Sequence, residues 1–276
     1  MLPRWINHYG GQVGIHNLVV LDDNSVDGST ADLPCTTYRL PPPPWKRGWG
    51  KTRTRLVNGI AQGLLACNDA VVFADVDEFL VPDPTKYEGL LDFLLARPEV
   101  PVIAPLALEV LHHDRSEGAL DNDHPLLEQR RFVKFSPGMC KPLVKRVPAR
   151  WVGAFHAIRA PFDVDRDLWM LHLKYADLPT LEVTAERRRA AHELEGRGHP
   201  RSFWPMGAEV LRRRLAGWTS DADATGAVPP FDPDEPDIDN LIEGRSSGSW
   251  QSRASQVQGL DGSPLRQRPE SLHTIL

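Results

Sequence analysis

Apolar residues gather in short unbroken blocks with polar turns between them. Residues 17–21 (NLVVL), 70–74 (AVVFA) and 102–111 (VIAPLALEVL) are the clearest. Unbroken blocks of this length predict strands buried on both faces, as parallel sheets require. Residues 36–40 form a further candidate strand, stopped by Pro41 to Pro44, which reads as a stiff extended segment. Between the blocks the period changes. Leu56, Ile60, Leu64 and Leu65 recur at helical spacing within 51–66, and 86–96 reads as another helix. Residues 3–11 read as the end of a helix, with Gly10 and Gly11 as its stop signal. Strand, helix and strand in alternation predict an α/β fold, a mostly parallel sheet flanked by helices.

Beyond Asp114 the strands shorten. Residues 131–135, 142–147, 152–159 and 168–173 are candidates, followed by charged helices over 181–195 and 207–218. Arg187, Arg188 and Arg189 are assigned to a solvated face. At Thr219 the composition shifts. Residues 221–243 hold many acids, several prolines and no Lys or Arg, and 244–276 are rich in Ser, Gly, Gln and Arg. Such a stretch offers little apolar surface against chain entropy, so a disordered tail over 219–276 is expected behind one domain at 1–218.

The chain of 276 residues is 41% hydrophobic and 25% charged, with a net charge of −5. Nothing in that balance suggests a general nucleic-acid binder. Cys35, Cys67 and Cys140 are odd in number and lack metal-type spacing, which fits a reducing compartment. No apolar run approaches the ~18 residues of a membrane span, and the first residues lack a signal-peptide core. A cytoplasmic protein is expected, with peripheral membrane association left open.

Chemistry concentrates where apolar blocks end. The block 70–74 runs directly into Asp75-Val76-Asp77-Glu78-Phe79. Ligands of open parallel sheets bind beyond the carboxyl ends of the strands. Alternate residues of extended chain share a side, so Asp75 and Asp77 can converge on one hard cation, Mn²⁺ or Mg²⁺. A solvated acidic turn or a helix cap is the plainer alternative. The block 17–21 likewise ends in Asp22-Asp23-Asn24-Ser25 and Asp27-Gly28-Ser29-Thr30, which is dense turn chemistry. His112 and His113 are adjacent, so on a strand they face opposite ways and are discounted as a metal pair.

FADVDEFL resembles the Asp-X-Asp-Glu-Phe metal motif of family 2-like glycosyltransferases, in the branch related to family 92. LVVLDDNSVDGST resembles the Asp-Asp-X-Ser-X-Asp-Gly-Thr turn of the same enzymes. Together the matches cover roughly residues 1 to 180. The resemblance implies a GT-A-like domain that transfers sugar from a nucleoside-diphosphate sugar to a hydroxyl on a glycan, lipid-linked or protein acceptor, with inversion. It places Asp22 and Asp23 by the nucleoside and Asp75 and Asp77 on the cation. LLEQRRF resembles a Glu-bearing segment, which makes Glu128 the first choice of general base, with Asp114 and Glu117 as rivals on position. KPLVKR and GAFHA resemble a Lys and His pair, Lys141 and His156, with Lys141 near the phosphates or simply on the surface. LHLKYAD resembles a late segment whose His172 completes the metal shell or sits satisfied in the core, with Tyr175 behind it. Arg53 and Arg55 meet phosphate or solvent.

In that family a strand and a nucleotide-contacting loop precede the first helix, whereas Met1 lies within that helix here. The resemblance therefore implies that the strands ending at Asp23 and Asp75 each carry an unpaired edge. Two other functions fit the same residues. A haloacid dehalogenase-like phosphohydrolase would use Asp75 as a nucleophile, although Glu78 and the motif's depth in the chain depart from that pattern. A non-catalytic nucleotide-sugar binder would show metal-dependent binding without turnover.

Overall fold

The computed structural model describes residues 1–40, 49–195, 203–223, 227–254 and 256–276. The extended segment expected at Pro41 to Pro44 lies outside them. The chain runs α1 (Leu2–Val13), β1 (Val19–Asp22), β2 (Thr36–Arg39), α2 (Trp49–Leu65), β3 (Val71–Val72), β4 (Glu78–Pro82), α3 (Leu90–Leu95) and β5 (Val102–Leu111). It continues α4 (Leu126–Gln129), β6 (Phe132–Phe135), β7 (Val144–Lys145), β8 (Trp151–Val152), β9 (Ala157–Ile158), β10 (Asp163–Tyr175), α5 (Leu178–Glu195) and α6 (Ala208–Trp218). The last elements are β11 (Ile242–Gly244), β12 (Trp250–Ser252), α7 (Gln256–Gly262) and β13 (Leu265–Gln267).

The fold is mixed α/β, built on a seven-stranded sheet in the order β13-β6-β5-β10-β4, with β7 on β5 and β3 on β7. The mostly parallel sheet expected from the apolar blocks does not form. Within this sheet only β5 and β10 run parallel, and every other pairing is antiparallel. The reason is physical. An unbroken apolar block reports burial on both faces, and says nothing about the direction of the neighbours. All ten residues of β5 are buried although β6 and β7 oppose it.

One face of the sheet packs on α1 and α3, where Ile6, Tyr9, Leu90 and Phe93 meet Leu80, Ala107, Leu168 and Met170. The other face sends Phe79, Leu106, Leu108, Val110, Trp169 and Leu171 into a second cluster with Leu126, Leu127 and Leu272. Leu80, Ala107, Met170 and their opposite-facing neighbours obey the two-residue period of strands. Residue 86–96 helicity is confined to α3, because Asp83 turns the chain by accepting hydrogen bonds from Thr85 N and Oγ1. The single strand expected at 152–159 is instead the hairpin β8–β9.

The disordered tail expected after 218 is also corrected by the described residues. Its apolar residues are few but placed as anchors: Phe231, Leu241, Leu260, Leu265 and Leu272 are all buried. Leu260 and Leu265 share a cluster with Leu211, Leu215 and Trp218. β13 closes the edge of β6, and β11–β12 extend the hairpin β8–β9 into a four-stranded sheet. β1 pairs only with β2, and β3 only with β7, so each keeps an edge with no strand on it among the described residues. No helix among them is long and apolar enough to cross a membrane.

Candidate functional site

The register of the large sheet sets three polar side chains abreast in an otherwise apolar interior. His172 on β10 is opposite Glu78 on β4 and opposite Glu109 on β5. All three share the face of Leu80, Ala107 and Met170, by strand alternation. Lys134 on β6 continues the row, opposite Glu109. His172 Nδ1 lies 2.8 Å from Glu109 Oε2, and Nε2 lies 3.5 Å from Asp77 Oδ2. Glu109 Oε2 and His172 Nδ1 make no aligned hydrogen bond, so their contact is an ion pair. Burial alone would lower the His172 imidazolium, but Glu109 and Asp77 more than offset it and raise it to about 10. For Asp77 burial acts upward, and His172, with help from Arg188 and Lys141, holds the carboxyl well below its usual range.

The acidic segment is a turn rather than extended chain. β3 stops at Val72, Glu78 N donates to Asp75 O at 3.0 Å, and Leu173 N donates to Asp77 O at 2.8 Å. That tie fixes Asp77 beside His172. Among the described residues, Asp77, Glu78 and His172 form a group able to share one cation, with ligand atoms all within 4.8 Å of one another. Asp75 is not in this group; its Oδ2 lies 3.9 Å from Lys141 Nζ. Lys141 is buried, and its ammonium lies 2.5 Å from Glu78 Oε1. Burial would lower the Lys141 ammonium, but Glu78 and Asp75 keep it raised, while burial outweighs Lys141 in raising Glu78.

Two carboxylates and an imidazole are a donor set for a hard-to-intermediate divalent cation, and Mn²⁺ suits it better than Mg²⁺ because of the nitrogen. The expected ligands Asp77 and His172 are brought together, and Glu78 takes the position expected for Asp75. Alternation along a strand was the argument for Asp75, and the turn removes it.

These groups open on a cleft of about 1260 Å³, walled by the first turns of α2, the hairpin β8–β9, β12 and Arg188 in the middle of α5. That volume exceeds the ~300–1,000 Å³ of a site for one drug-sized ligand. Asp23, Asp75, Lys141, His156, Arg53 and Arg55 all line it. Asn58 anchors α2 to the hairpin, donating to Trp151 O and accepting from Trp151 N, both at 2.9 Å. The hairpin turn is strained. Ala154 and Phe155 hold φ of 54° and 73°, a conformation costing L-residues roughly 1–2 kcal/mol each. The turn carries His156 into the cleft, where Nδ1 donates to Gly138 O at 3.2 Å. Burial, then Lys141, pushes the His156 imidazolium down to about 4, so the ring is neutral at pH 7.

The remaining expected residues divide. Asp22 is buried and builds the 22–30 turn, accepting from Ser25 N at 2.7 Å and Thr30 Oγ1 at 3.1 Å. Only its neighbour Asp23 faces the cleft. Glu128 on α4 and Asp114 in the turn after β5 are exposed and do not line it. Glu117 receives His113 N and Arg131 N, so it braces a loop. His112 and His113 diverge as expected: His112 contacts Glu117 O and Leu178 N, and His113 contacts Ser116 and Asp223. Of the arginine run, Arg189 pairs with Glu186 and Glu193 in solvent, whereas Arg188 lines the cleft. Glu109 was missed. Its signal was a lone carboxylate inside the apolar block 102–111, which must be paired if it is buried.

In comparisons with known proteins, no family model, no curated protein and no solved structure matches this chain.

Proposed function

We propose that this chain is a metal-dependent glycosyltransferase acting on a nucleoside-diphosphate sugar. One observation carries the reading: Asp77 and His172, from separate elements, converge at 3.5 Å in a cleft that Asp23 also lines. In this reading Asp77, Glu78 and His172 hold Mn²⁺, which when bound supplies Lewis-acid stabilisation of a leaving diphosphate. Glu109 orients His172, and Asp23 meets the nucleoside. Lys141 neutralises the excess carboxylate around Glu78 and Asp75. Glu78 and Glu109 are buried in ion pairs and Asp77 belongs to the ligand group. A carboxylate base for the acceptor hydroxyl therefore comes from Asp23 or Asp75 among the described residues.

The test is a nucleotide-sugar panel read by thermal shift with and without Mn²⁺, followed by donor hydrolysis and transfer assays. Metal-dependent stabilisation and turnover, both lost in Asp77→Asn, are expected. Binding without turnover would leave a nucleotide-sugar binder. Phosphate release through a phosphoaspartate at Asp75 would replace the reading with a phosphohydrolase.

A further inference from the structure

The register of β10 against β5 slips between His172 and Tyr175. Bulges of this kind redirect side chains. Lys174 and Tyr175, adjacent in sequence, consequently line the same cleft as His172. Arg188, on α5, lines it with them. The three side chains offer hydrogen-bond donors, and Lys174 and Arg188 have no acceptor capacity.

Among the described residues, none of these donors has a hydrogen-bond or ion-pair acceptor. Tyr175 is 1% exposed, and its hydroxyl has no hydrogen-bond partner among the described residues. Among the described residues, Lys174 and Arg188 form no ion pair within contact distance, unlike Arg189 one residue on. Lys174 Nζ is held over the rings of Phe203, at 4.0 Å, and Tyr175, at 4.7 Å. Tyr175 is wedged in turn against Trp218, with ring centroids 5.1 Å apart. The donors are thus fixed by aromatic packing. A buried hydroxyl left unpaired costs stability, so its retention at a cleft wall beside two cations calls for an oxygen-rich ligand.

We propose that Lys174, Tyr175 and Arg188 form an oxyanion subsite that binds a phosphoryl group. The inference rests on the glycosyltransferase reading for one point only, that the group belongs to the donor's diphosphate. Binding of the anion itself does not need that reading.

Inorganic pyrophosphate is the probe, titrated calorimetrically into the full chain at pH 7 in EDTA, with Tyr175→Phe, Lys174→Met and Arg188→Gln alongside. Each substitution should weaken pyrophosphate about tenfold or more. Tyr175→Phe should also melt no lower than the parent, since it deletes an unsatisfied hydroxyl. Unchanged affinity in all three variants overturns the inference. So does a Tyr175→Phe protein that melts lower but binds pyrophosphate as before, which would make the hydroxyl structural. If pyrophosphate binding depends on these residues while no nucleotide sugar is turned over, the subsite stands and the glycosyltransferase reading falls. Sugar transfer with unaltered pyrophosphate binding would do the reverse.

Discussion

Glu109 and His172 stand in direct register on parallel neighbours, with Oε2 2.8 Å from Nδ1, so the carboxylate fixes which imidazole nitrogen faces Asp77. The contact is an ion pair at the position where a carboxylate would orient the imidazole of the proposed metal ligand. Glu109→Gln keeps the shape and removes the charge. It should weaken Mn²⁺ binding about 10–100-fold while Asp77 and Glu78 stay in place. Calorimetric titration with Mn²⁺ checks this, and unaltered affinity would show that Glu109 merely fills the core.

The same pairing dictates a pH dependence. His172 is raised to about 10 in the folded protein, against about 6.5 for an unperturbed imidazole. A raised pKa contributes stability that is complete below pH 6.5 and fades as pH climbs toward 10. Metal-free protein should therefore lose stability across that window, and His172→Gln should flatten the slope. Thermal melts from pH 6 to 10 in EDTA measure both.

Lys141 and Glu78 form a buried pair at 2.5 Å, each almost wholly shielded from water. Removing one partner of such a pair strands a charge at a cost of about 3–5 kcal/mol. Lys141→Met should show that loss in urea unfolding at pH 7, and should regain part of it at lower pH as Glu78 takes up a proton. The double variant with Glu78→Gln should be more stable than Lys141→Met alone. A double variant with the two losses simply added would show that the pair is not coupled.

Parts of this arrangement were legible in the sequence and parts were not. Asp77 and His172 each follow or enter an apolar strand, and motif resemblance linked them across 94 intervening positions of chain. Their convergence depends on β4 and β10 being neighbours, which periodicity cannot state. Glu109 was visible as a lone acid in an apolar block, but its register with His172 was not. Asp75 lies outside the group formed by Asp77, Glu78 and His172, because a turn at 75–78 looks like extended chain when only residue alternation is read. The tail was misjudged because composition averages over the spacing of Leu260, Leu265 and Leu272, which are each buried in a core cluster.

The placement of the carboxylates separates two groups of variants. Glu128 and Asp114 are exposed away from the cleft, so Glu128→Gln and Asp114→Asn should leave transfer within about twofold of the parent. Asp23 and Asp75 line the cleft outside the ligand group. If either is the base, its Asn variant should lose about 10²–10⁴-fold in turnover. Donor affinity, read by thermal shift with Mn²⁺, distinguishes the roles: a base variant keeps it, and a nucleoside contact loses it. Loss of turnover in Glu128→Gln would mean that α4 moves toward the cleft on binding.

The tail offers a sharper contrast. Leu272 is fully buried with Phe79, Val110 and Leu126, and Arg268 donates to Leu127 O at 2.6 Å. Leu272→Ala should cost about 2–5 kcal/mol, as for other large-to-small changes in a core. A chain ended at Trp218 would lose β13 and expose the edge of β6, inviting edge-to-edge association. Urea unfolding of the point variant and light scattering of the shortened chain make the comparison. A disordered tail would leave both proteins indistinguishable from the parent, whereas a packed one makes the first unfold at lower urea and the second aggregate.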